Sequence, residues 1–325
     1  MLAMTYSHYG PASVLQPADV AMPKIKSTEI IVRVQASTVT PVDCQFRAGD
    51  PPIVRLYMGL FRPKKRTVLG SELSGRVEAI GDDVSEFEVG DHVFAATADG
   101  TGGHAEYIAL PAKGAVTHIP ENMSLAQAAT LCNGGLTALP FLRDHGRIKP
   151  GDRVLIIGAS GSIGTCAIEL AKHFGAHVTG VCSAANVELV ASLGADAVID
   201  YNVADFTRLG QKYDIIFDTV AKSSFANARS ALKPNGAYLV TAPSFATVFH
   251  MLRAAAFGGK RAVMAATGLR PAGDQRRDMD FLKKLAETGV LRSIIDRTYP
   301  FAELAKAHEY VETGHKKGNV VVTMV

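Results

Sequence analysis

Cysteine is scarce in this chain, with four residues among 325, at Cys44, Cys132, Cys166 and Cys182. So few cysteines cannot cross-link a chain of this length as a disulfide scaffold, and their spacing contains no Cys-x-x-Cys pair. Both absences favour a reducing compartment. We therefore expect a cytoplasmic protein.

Long hydrophobic runs are also missing. The most apolar stretch, residues 245–268, is interrupted by Arg253, Lys260 and Arg261, whereas a membrane-spanning helix needs about 18 or more consecutive apolar residues. We interpret this stretch as a buried or interface helix. The first residues lack the basic and apolar segments of a secretory signal, so we expect no membrane partner.

Neither sign of charge dominates, since 34 Lys and Arg stand against 31 Asp and Glu for a net charge of +3. A dedicated nucleic-acid binder is strongly basic, so we expect no nucleic-acid partner. The basic run at residues 62–66 is too short for an extended basic face and is interpreted as a solvated loop. The chain is 47% hydrophobic and 20% charged, which is typical of globular proteins, and its length suits about two domains.

The first third of the sequence is typical of a β-rich unit. Residues 29–35 (EIIVRVQ) alternate apolar and polar side chains, and residues 74–80 and 92–95 are further predicted strands. Frequent Gly, Pro and Asp between them predict a barrel-like or sandwich unit. Ala- and Leu-rich residues 125–132 and then residues 135–145 predict two helices.

From residue 153 onward, predicted strands alternate with predicted helices. The strands are 154–157, 177–182, 197–199, 213–218 and 237–242, and the helices are 162–174, 186–193 and 223–232, with a turn at 233–236. This alternation predicts βαβ units and a parallel sheet. Residues 319–325 (NVVVTMV) predict a strand that either rejoins the first domain's sheet or extends the second.

A run of small residues follows the predicted strand 154–157 and opens a helix. It consists of Gly158, Ala159, Ser160, Gly161, Ser162, Ile163 and Gly164. Small side chains let a pyrophosphate approach the backbone, and the helix N-terminus offers N–H groups and partial positive charge. A tight turn without a ligand would have similar residues, but the whole alternating segment favours a dinucleotide site.

The end of the second predicted strand bears on which dinucleotide binds. An acidic residue about 20 positions after the glycine motif would bind the adenosine ribose and repel a 2′-phosphate. Here the sequence is Cys-Ser-Ala-Ala-Asn at residues 182–186, and the first carboxylate is Glu188. The charge pattern favours NADP, with Ser183, Asn186 and Tyr201 as neutral donors.

Several further motifs stand in one order along nearly the whole chain. They are residues 68–81 (VLGSELSGRVEAIG), 90–93 (GDHV), 103–107 (GHAEY), 135–138 (GLTA) and 193–196 (LGAD). Together they resemble the medium-chain dehydrogenase/reductase superfamily. The resemblance implies an α/β fold with a GroES-like β-barrel domain (residues 1–133 and 267–325) and a Rossmann doubly wound parallel sheet (residues 134–266). It also implies an active site between them and hydride transfer with a nicotinamide coenzyme.

The resemblance also points to one branch of that family. Catalytic zinc needs three protein ligands of the Cys, His, Asp or Glu type, but the matching positions hold Thr40, Ser71 and Asn133, and only Glu72 remains. The four-cysteine segment of a structural zinc is absent as well. We therefore expect no metal and a zinc-free, quinone-oxidoreductase-like protein. Residues 40–43 (TPVD) and 314–321 (GHKKGNVV) also resemble this branch.

Without a Lewis acid, direct alcohol oxidation is difficult, whereas quinones and conjugated carbonyls accept hydride at carbon. We therefore expect an NADPH-dependent oxidoreductase that reduces quinones or α,β-unsaturated carbonyls. A proton would come from solvent or from Tyr57, and the substrate pocket would draw on residues 57–61 and 245–257. The catalytic candidates are Tyr57 and Asp43; the coenzyme candidates outside the glycine motif are Thr40, Asp43, Thr137, Ser183, Asn186, Tyr201, Thr219, Val220, Lys317 and Asn319.

Two other functions remain open at this point. One is a nucleotide-binding protein without a catalytic role, such as a crystallin-like or partner-binding relative. The other is a zinc-dependent alcohol dehydrogenase. Because family members are often dimers, a homodimer is a further expectation.

Overall fold

A computed structural model gives the fold and describes residues 1–64, 67–97, 100–241, 259–265 and 267–324. The contacts within the chain define two compact units. Unit 1 comprises Met1–Asn133, Gly268–Gly289 and Ser293–Val325, and unit 2 comprises Gly134–Thr267 and Val290–Arg292.

The secondary structure follows the chain in this order. The strands are β1 (Leu2–Tyr6), β2 (Gln16–Asp19), β3 (Glu29–Val39), β4 (Thr67–Val68), β5 (Glu72–Ile80), β6 (His92–Ala96), β7 (Tyr107–Pro111), β8 (Val116–His118), β9 (Arg153–Ile157), β10 (His177–Cys182), β11 (Ala197–Asp200), β12 (Tyr213–Asp218), β13 (Leu232–Val240), β14 (Arg261–Met264), β15 (Ile295–Pro300) and β16 (Asn319–Thr323). The helices are α1 (Pro41–Ala48), α2 (Ile53–Met58), α3 (Leu125–Ala129), α4 (Leu131–Pro140), α5 (Ser162–His173), α6 (Val187–Ser192), α7 (Phe225–Ala228), α8 (Ala272–Glu287) and α9 (Leu304–Glu312).

Unit 1 is built on a seven-stranded sheet in the order β15-β16-β3-β5-β6-β8, with β7 also paired to β3. Strand β3 has partners in β5, β7 and β16, and its register with β5 shifts twice. Such irregularities bend a strand and let a sheet curl on itself. The buried core includes Ile30, Val32 and Leu73. The strands predicted at 29–35, 74–80 and 92–95 correspond to β3, β5 and β6, so the β-rich first domain that the sequence predicts is confirmed.

Unit 2 contains a six-stranded parallel sheet in the order β11-β10-β9-β12-β13-β14. This is the strand order of a doubly wound dinucleotide-binding sheet, whose ligands bind where the order reverses, here between β9 and β12. Residues Val154 to Ile156 of β9 are fully buried, as expected for a central strand covered on both faces. The α/β fold class expected from the sequence is therefore confirmed.

The two helices predicted at 125–132 and 135–145 have different bounds. The first, α3, ends at Ala129, where the Thr130 hydroxyl donates to the carbonyl of Gln127 at 2.8 Å. The second, α4, already begins at Leu131 and ends at Pro140, and a π-helical turn covers Phe141–Gly146. Proline has no N–H to give to the helix, and the turn widens directly after it.

The predicted helix 223–232 is much shorter in the structure. Only Phe225–Ala228 is α-helical and Arg229–Ala231 forms a 3-10 turn. Ser224 caps the start of the helix by accepting from the Asn227 N–H at 3.2 Å, whereas the Ser230 hydroxyl donates to the carbonyl of Asn227 and competes with continuation of the helix. The predicted turn 233–236 is also wrong, since β13 runs through it with a register shift against β12. Asn235, at φ 65°, provides the bend.

Two expectations near the C-terminal third also change. The predicted helix 245–268 is wrong at Arg261–Met264, which is strand β14 paired in parallel with β13; residues 245–258 lie outside the described residues. The strand predicted at 319–325 is β16, and it joins the sheet of unit 1 between β15 and β3. Across the ranges that the structure describes, no helix combines the length and the apolar character needed to cross a membrane.

Candidate functional site

The glycine-rich turn between β9 and α5 is closed so tightly that side chains cannot replace two of its glycines. Gly158 has φ 78°, and a Cβ there would lie 2.7 Å from Thr219 Oγ1. A Cβ on Gly164 would overlap the carbonyl oxygen of Gly158. Gly161 tolerates one, with Gly158 O at 3.5 Å. The turn thus requires glycine twice for its own packing and leaves the backbone at Gly161 open to a ligand.

The first turn of α5 is suited to an anion. Gly161 is the residue that precedes the helix, and it has no side chain that could accept hydrogen bonds from the first N–H groups. A helix N-terminus without such an acceptor presents donors and partial positive charge. A pyrophosphate fits these features of Gly161 and Ser162.

Beside the turn, three neutral polar side chains form a small network. The side-chain nitrogen of Asn186 donates to Ser160 Oγ at 3.0 Å and to Ser183 Oγ at 3.2 Å. Its side-chain oxygen, Oδ1, is buried and has no hydrogen-bond partner among the residues that the structure describes. A buried acceptor without a partner is costly, and a ribose hydroxyl would satisfy it. These residues therefore fit the adenosine end of a dinucleotide.

The nearest acidic side chain at this edge comes from the neighbouring strand. Cys182 at the end of β10 pairs with Asp200 at the end of β11. The carboxylate of Asp200 accepts from the backbone and side-chain nitrogens of Asn202, both at 3.0 Å. Tyr201, which follows, is largely exposed. The Asp200 carboxylate therefore already accepts hydrogen bonds within a surface turn.

The loop after β12 is fixed by an aspartate that sequence reasoning missed. The Asp218 carboxylate is buried and accepts from the N–H of Val220 at 3.2 Å and that of Ser223 at 2.8 Å. It also accepts from the Tyr238 hydroxyl at 2.9 Å, and burial together with this carboxylate raises the pKa of Tyr238. Thr219 Oγ1 donates to the carbonyl of Ile157 at 2.8 Å. The coenzyme candidates Thr219 and Val220 therefore lie on a rigid loop against the glycine turn.

The candidate Thr137 lies on α4 and is half-buried. Its neighbour Ala138 is fully buried, so this part of the helix is anchored by packing. Thr137 belongs to unit 2, as the glycine turn does.

In unit 1, Thr40 and Asp43 bond to each other at the start of α1. The carboxylate of Asp43 accepts from Thr40 N at 2.8 Å and from Thr40 Oγ1 at 2.6 Å, and Asp43 N donates back to Thr40 Oγ1 at 3.3 Å. This is a capping box. The other carboxylate oxygen accepts from Gly70 N at 3.0 Å. Asp43 is fully buried, so its geometry is that of a positioning residue that fixes two backbone segments.

Glu72 is a buried ionisable group in unit 1. It is buried, and it accepts from Thr38 Oγ1 and, at 2.5 Å, from the backbone N–H of Asn133. Burial raises its pKa to about 7, although both hydrogen bonds favour the ionised form. Cys132 lies next to it, and burial together with Glu72 raises the pKa of that thiol. Glu72 can therefore exchange a proton near neutral pH.

The two lysines after α9 have different environments. Lys317 is exposed, and its backbone N–H donates to Asp296 at 2.9 Å. Lys316 is the half-buried one, and its ammonium donates to the carbonyl of Gly318 at 2.5 Å. Burial lowers the pKa of Lys316 to about 8, while the negative charge of Glu72 opposes that shift. Sequence reasoning nominated Lys317 and missed Lys316, since nothing in two adjacent lysines distinguishes them.

The other candidate in this segment, Asn319, is buried at the start of β16. Its backbone N–H donates to the carbonyl of Ile294 at 2.8 Å, and its side-chain amide donates to the same oxygen at 3.2 Å. These bonds secure the beginning of the strand. Gly318 before it has φ 58°, which glycine adopts readily.

Tyr57 lies on α2 and is about half exposed. Its ring is 5.9 Å from that of Phe46. Leu60 and Phe61 are exposed as well. Residues 245–257, the other half of the expected substrate pocket, lie outside the described residues.

The side chains at the positions of a catalytic zinc do not form a ligand set. Thr40 is bonded to Asp43 and Glu72 to Thr38, and Asn133 contributes its backbone N–H. Cys44 points to His308, with Sγ 3.4 Å from Nδ1. Within the described part of the chain, no group of three His, Cys, Asp or Glu could hold a metal ion. Hydroxyls and a single carboxylate do not match the preference of zinc.

Comparison with known proteins gives consistent matches over the whole chain. A family model described as an alcohol dehydrogenase GroES-like domain matches residues 26–121, and one described as a zinc-binding dehydrogenase matches residues 193–322. The mouse mitochondrial NAD(P)H oxidoreductase RTN4IP1 is 32% identical over 359 residues, covering 100% of this chain and 89% of that protein.

Two further relatives are similar at full length. The chloroplastic NADPH-dependent alkenal/one oxidoreductase of Arabidopsis thaliana is 31% identical over 351 residues, covering 99% of this chain and 79% of that protein. The solved structure of the quinone oxidoreductase from Coxiella burnetii has 28% identity and a TM-score of 0.88, covering 100% of this chain and 99% of that one.

The parallel sheet with its glycine turn, joined to a GroES-like unit, defines the class of fold. The chain belongs to the medium-chain dehydrogenase/reductase superfamily, in its quinone-oxidoreductase-like branch. The resemblance noted from the motifs is thereby confirmed.

Proposed function

We propose that this protein is an NADPH-dependent reductase of quinones or α,β-unsaturated carbonyls that works without a metal. Its coarser description, an NAD(P)H-dependent oxidoreductase, follows from its family. The observation that carries the proposal is the glycine turn at residues 158–164, with the unpartnered acceptor of Asn186 beside it. The relatives named as alkenal/one and quinone oxidoreductases support the substrate class.

When bound, NADPH supplies the hydride. The N-terminus of α5 would bind the pyrophosphate, and Ser160, Ser183, Asn186 and Tyr201 would hold the adenosine end with neutral groups. Thr219 and Val220 would contact the nicotinamide-side ribose. Thr137, Thr40 and Asp43 are assigned to the nicotinamide end, Thr40 and Asp43 through the backbone that they fix.

On the substrate side, reduction leaves negative charge on an oxygen, which hydrogen-bond donors stabilise. The oxygen must then receive a proton. We assign this step to the Tyr57 hydroxyl or to solvent, since Tyr57 is about half exposed and lies in contact with water. If a Tyr57→Phe variant keeps full turnover, the proton for the substrate oxygen comes from solvent and not from Tyr57.

The metal-free part of the proposal rests on the donor set. A Lewis acid would need ligands where Thr40 and Asn133 stand, and Glu72 is engaged by Thr38. Metal analysis of the purified active protein tests this point. We expect no zinc in proportion to protein; one zinc per chain, with loss of activity on chelation, would support the alcohol dehydrogenase alternative.

Coenzyme preference is tested by titrating the purified protein with NADPH and with NADH while following nicotinamide fluorescence. We expect NADPH to bind more tightly, because residues 183–187, directly after Cys182, contain no carboxylate to repel the 2′-phosphate. Tighter binding of NADH would contradict this preference without affecting the oxidoreductase class.

Substrate class is tested in parallel assays with ortho-quinones and alkenals. Turnover of either with NADPH supports the proposal. Tight NADPH binding without turnover across both panels would favour the non-catalytic nucleotide-binding alternative.

Compartment and assembly belong to the same proposal. All four cysteines are free and buried, which suits a reducing compartment, and we propose a cytoplasmic location. Because a similar mouse protein is mitochondrial, cell fractionation is the test of this proposal. We also propose a homodimer, which sedimentation velocity would detect.

A further inference from the structure

Five large apolar side chains lie exposed on α2 and directly after it, and we call them the 53–61 patch. Its members are Ile53, Leu56, Tyr57, Leu60 and Phe61. Phe61 is 89% exposed and Leu56 73%, and each of the others is more than half exposed. Their spacing of three, one, three and one residues puts those on α2 on one side of the helix. Contiguous exposed apolar side chains of this number mark an interaction surface.

The same part of the chain is strongly basic. Between Asp50 and Glu72 the sequence contains Arg55, Arg62, Lys64, Lys65 and Arg66, and no acidic residue. The guanidinium of Arg55 donates to the carbonyl of Gly49 and lies over the ring of Tyr9, so neither contact neutralises its charge. Arg62 and Lys64 are exposed. An apolar face with cations at its side has the composition of an interfacial membrane contact.

We propose that the 53–61 patch, with its basic flank, docks the protein peripherally onto an anionic lipid surface. Ile53, Leu56 and Phe61 would enter the boundary between headgroups and acyl chains, and the cations would pair with anionic headgroups. The Tyr57 hydroxyl would stay in the aqueous layer, where it remains available for the proton transfer assigned to it. The sequence led us to expect no membrane partner and a solvated loop at residues 62–66, and the proposal departs from both expectations. A six-residue helix such as α2 is too short to cross a membrane, but it can still bind at the membrane surface.

Charge distinguishes lipid from a second copy of this chain as the occupant. A symmetric dimer through the patch would bring two copies of it together, and with them the positive charges of Arg55, Arg62 and Lys64 on each copy. Like charges at an interface are costly. An anionic membrane offers the opposite charge together with an apolar layer, and so meets both features of the patch.

The test is cosedimentation of the purified full chain with phosphatidylcholine vesicles, with and without phosphatidylserine. We expect binding to the vesicles that contain phosphatidylserine, and less at high salt because salt screens the cations. Leu56→Ser combined with Phe61→Ser should lower the partition coefficient by about tenfold or more. Arg62→Glu combined with Lys64→Glu should abolish the difference between the two vesicle types.

Matched controls lie in unit 2. Val203 is 84% exposed, and Arg208 has an exposed side chain, so Val203→Ser and Arg208→Glu should bind vesicles like the original protein. Circular dichroism shows whether each variant is folded. The assay contains neither coenzyme nor substrate, so its result is independent of the proposed reductase activity.

Two results would overturn the proposal. One is that the original protein stays in solution with both vesicle types. The other is that the patch variants bind as well as the controls. If sedimentation velocity instead shows a self-association that Leu56→Ser with Phe61→Ser removes, in a protein that ignores vesicles, the patch is a contact between copies.

Discussion

Glu72 shows how one buried side chain makes stability depend on pH. Its pKa rises from 4.5 to about 7 because burial penalises the carboxylate. Between these two pH values the folded protein holds a proton that the unfolded chain releases, so stability decreases as pH rises from about 4.5 to about 7. The free energy of unfolding falls by about 3 kcal/mol once Glu72 is fully ionised in the folded protein.

We expect Glu72→Gln to remove this contribution, since glutamine does not ionise, and to leave the opposite contribution of the buried His104 and His308, whose pKa values are lowered by burial. Thermal melts at several pH values between 5 and 8 measure it, as the change in melting temperature across the series. Glu121→Gln, at an exposed position, should reproduce the original slope. An unchanged slope in Glu72→Gln would show that another group is responsible.

Coenzyme preference can be changed at Ser183. The Ser183→Asp variant places a carboxylate next to the Asn186 amide, where it can accept from a ribose and would repel a 2′-phosphate. We expect the ratio of NADPH to NADH dissociation constants to rise by about tenfold or more. The control variant Ser192→Asp, on the exposed end of α6, should leave this ratio unchanged. Equal ratios in the two variants would show that Ser183 does not contact the adenosine end of the coenzyme.

Single residues also show the limit of prediction from this sequence. The turn at residues 158–164 could be found because small residues between a strand and a helix have a local signature. Asp218 and Lys316 could not, because their roles depend on partners distant in sequence, such as Tyr238 and Glu72. Burial is set by the complete fold, and no local pattern encodes it.

Among the elements, the glycine turn makes the sharpest prediction. Gly164→Ala should destabilise the protein by about 1–3 kcal/mol, because the added Cβ meets the backbone of Gly158 and Ala159, which cannot move aside easily. Urea unfolding measures the loss. Gly273→Ala is the matched control in the first turn of α8, where only the Arg277 side chain is near, at 3.9 Å, and a gain of up to about 1 kcal/mol is expected. If Gly164→Ala is as stable as the original protein, the backbone of the turn at residues 158–164 can move apart to make room for the added Cβ.

Elements with clear periodicity were predicted well, and those with competing side-chain bonds were not. Strands β10 and β12 have the predicted bounds, because short segments rich in β-branched and aromatic residues between turns favour a strand. Helix α7 is only four residues long, since the Ser230 hydroxyl donates to the carbonyl of Asn227 and strand β13 already begins at Leu232. Strand β14 was missed because its apolar residues suit a buried helix equally well.

For the molecule as a whole, β16 connects the C-terminal segment to the first domain's sheet. Val321 is fully buried among Ala36 and Ala129, so Val321→Ala should lower the free energy of unfolding by about 2 kcal/mol. Val203→Ala, at an exposed site, should change it by less than about 0.5 kcal/mol. Chemical denaturation followed by circular dichroism compares them, and equal effects would mean that β16 contributes little to the sheet.

The position of β16 between β15 and β3 also determines an order of events during synthesis. Residues 134–267 of unit 2 leave the ribosome before β16 exists, so the parallel sheet can form on the nascent chain. Strand β3, although made early, must wait for residues 319–323 to complete its pairing. A ribosome that stalls ahead of Asn319 would therefore leave β3 without its β16 partner, as an open strand edge that other chains can pair with.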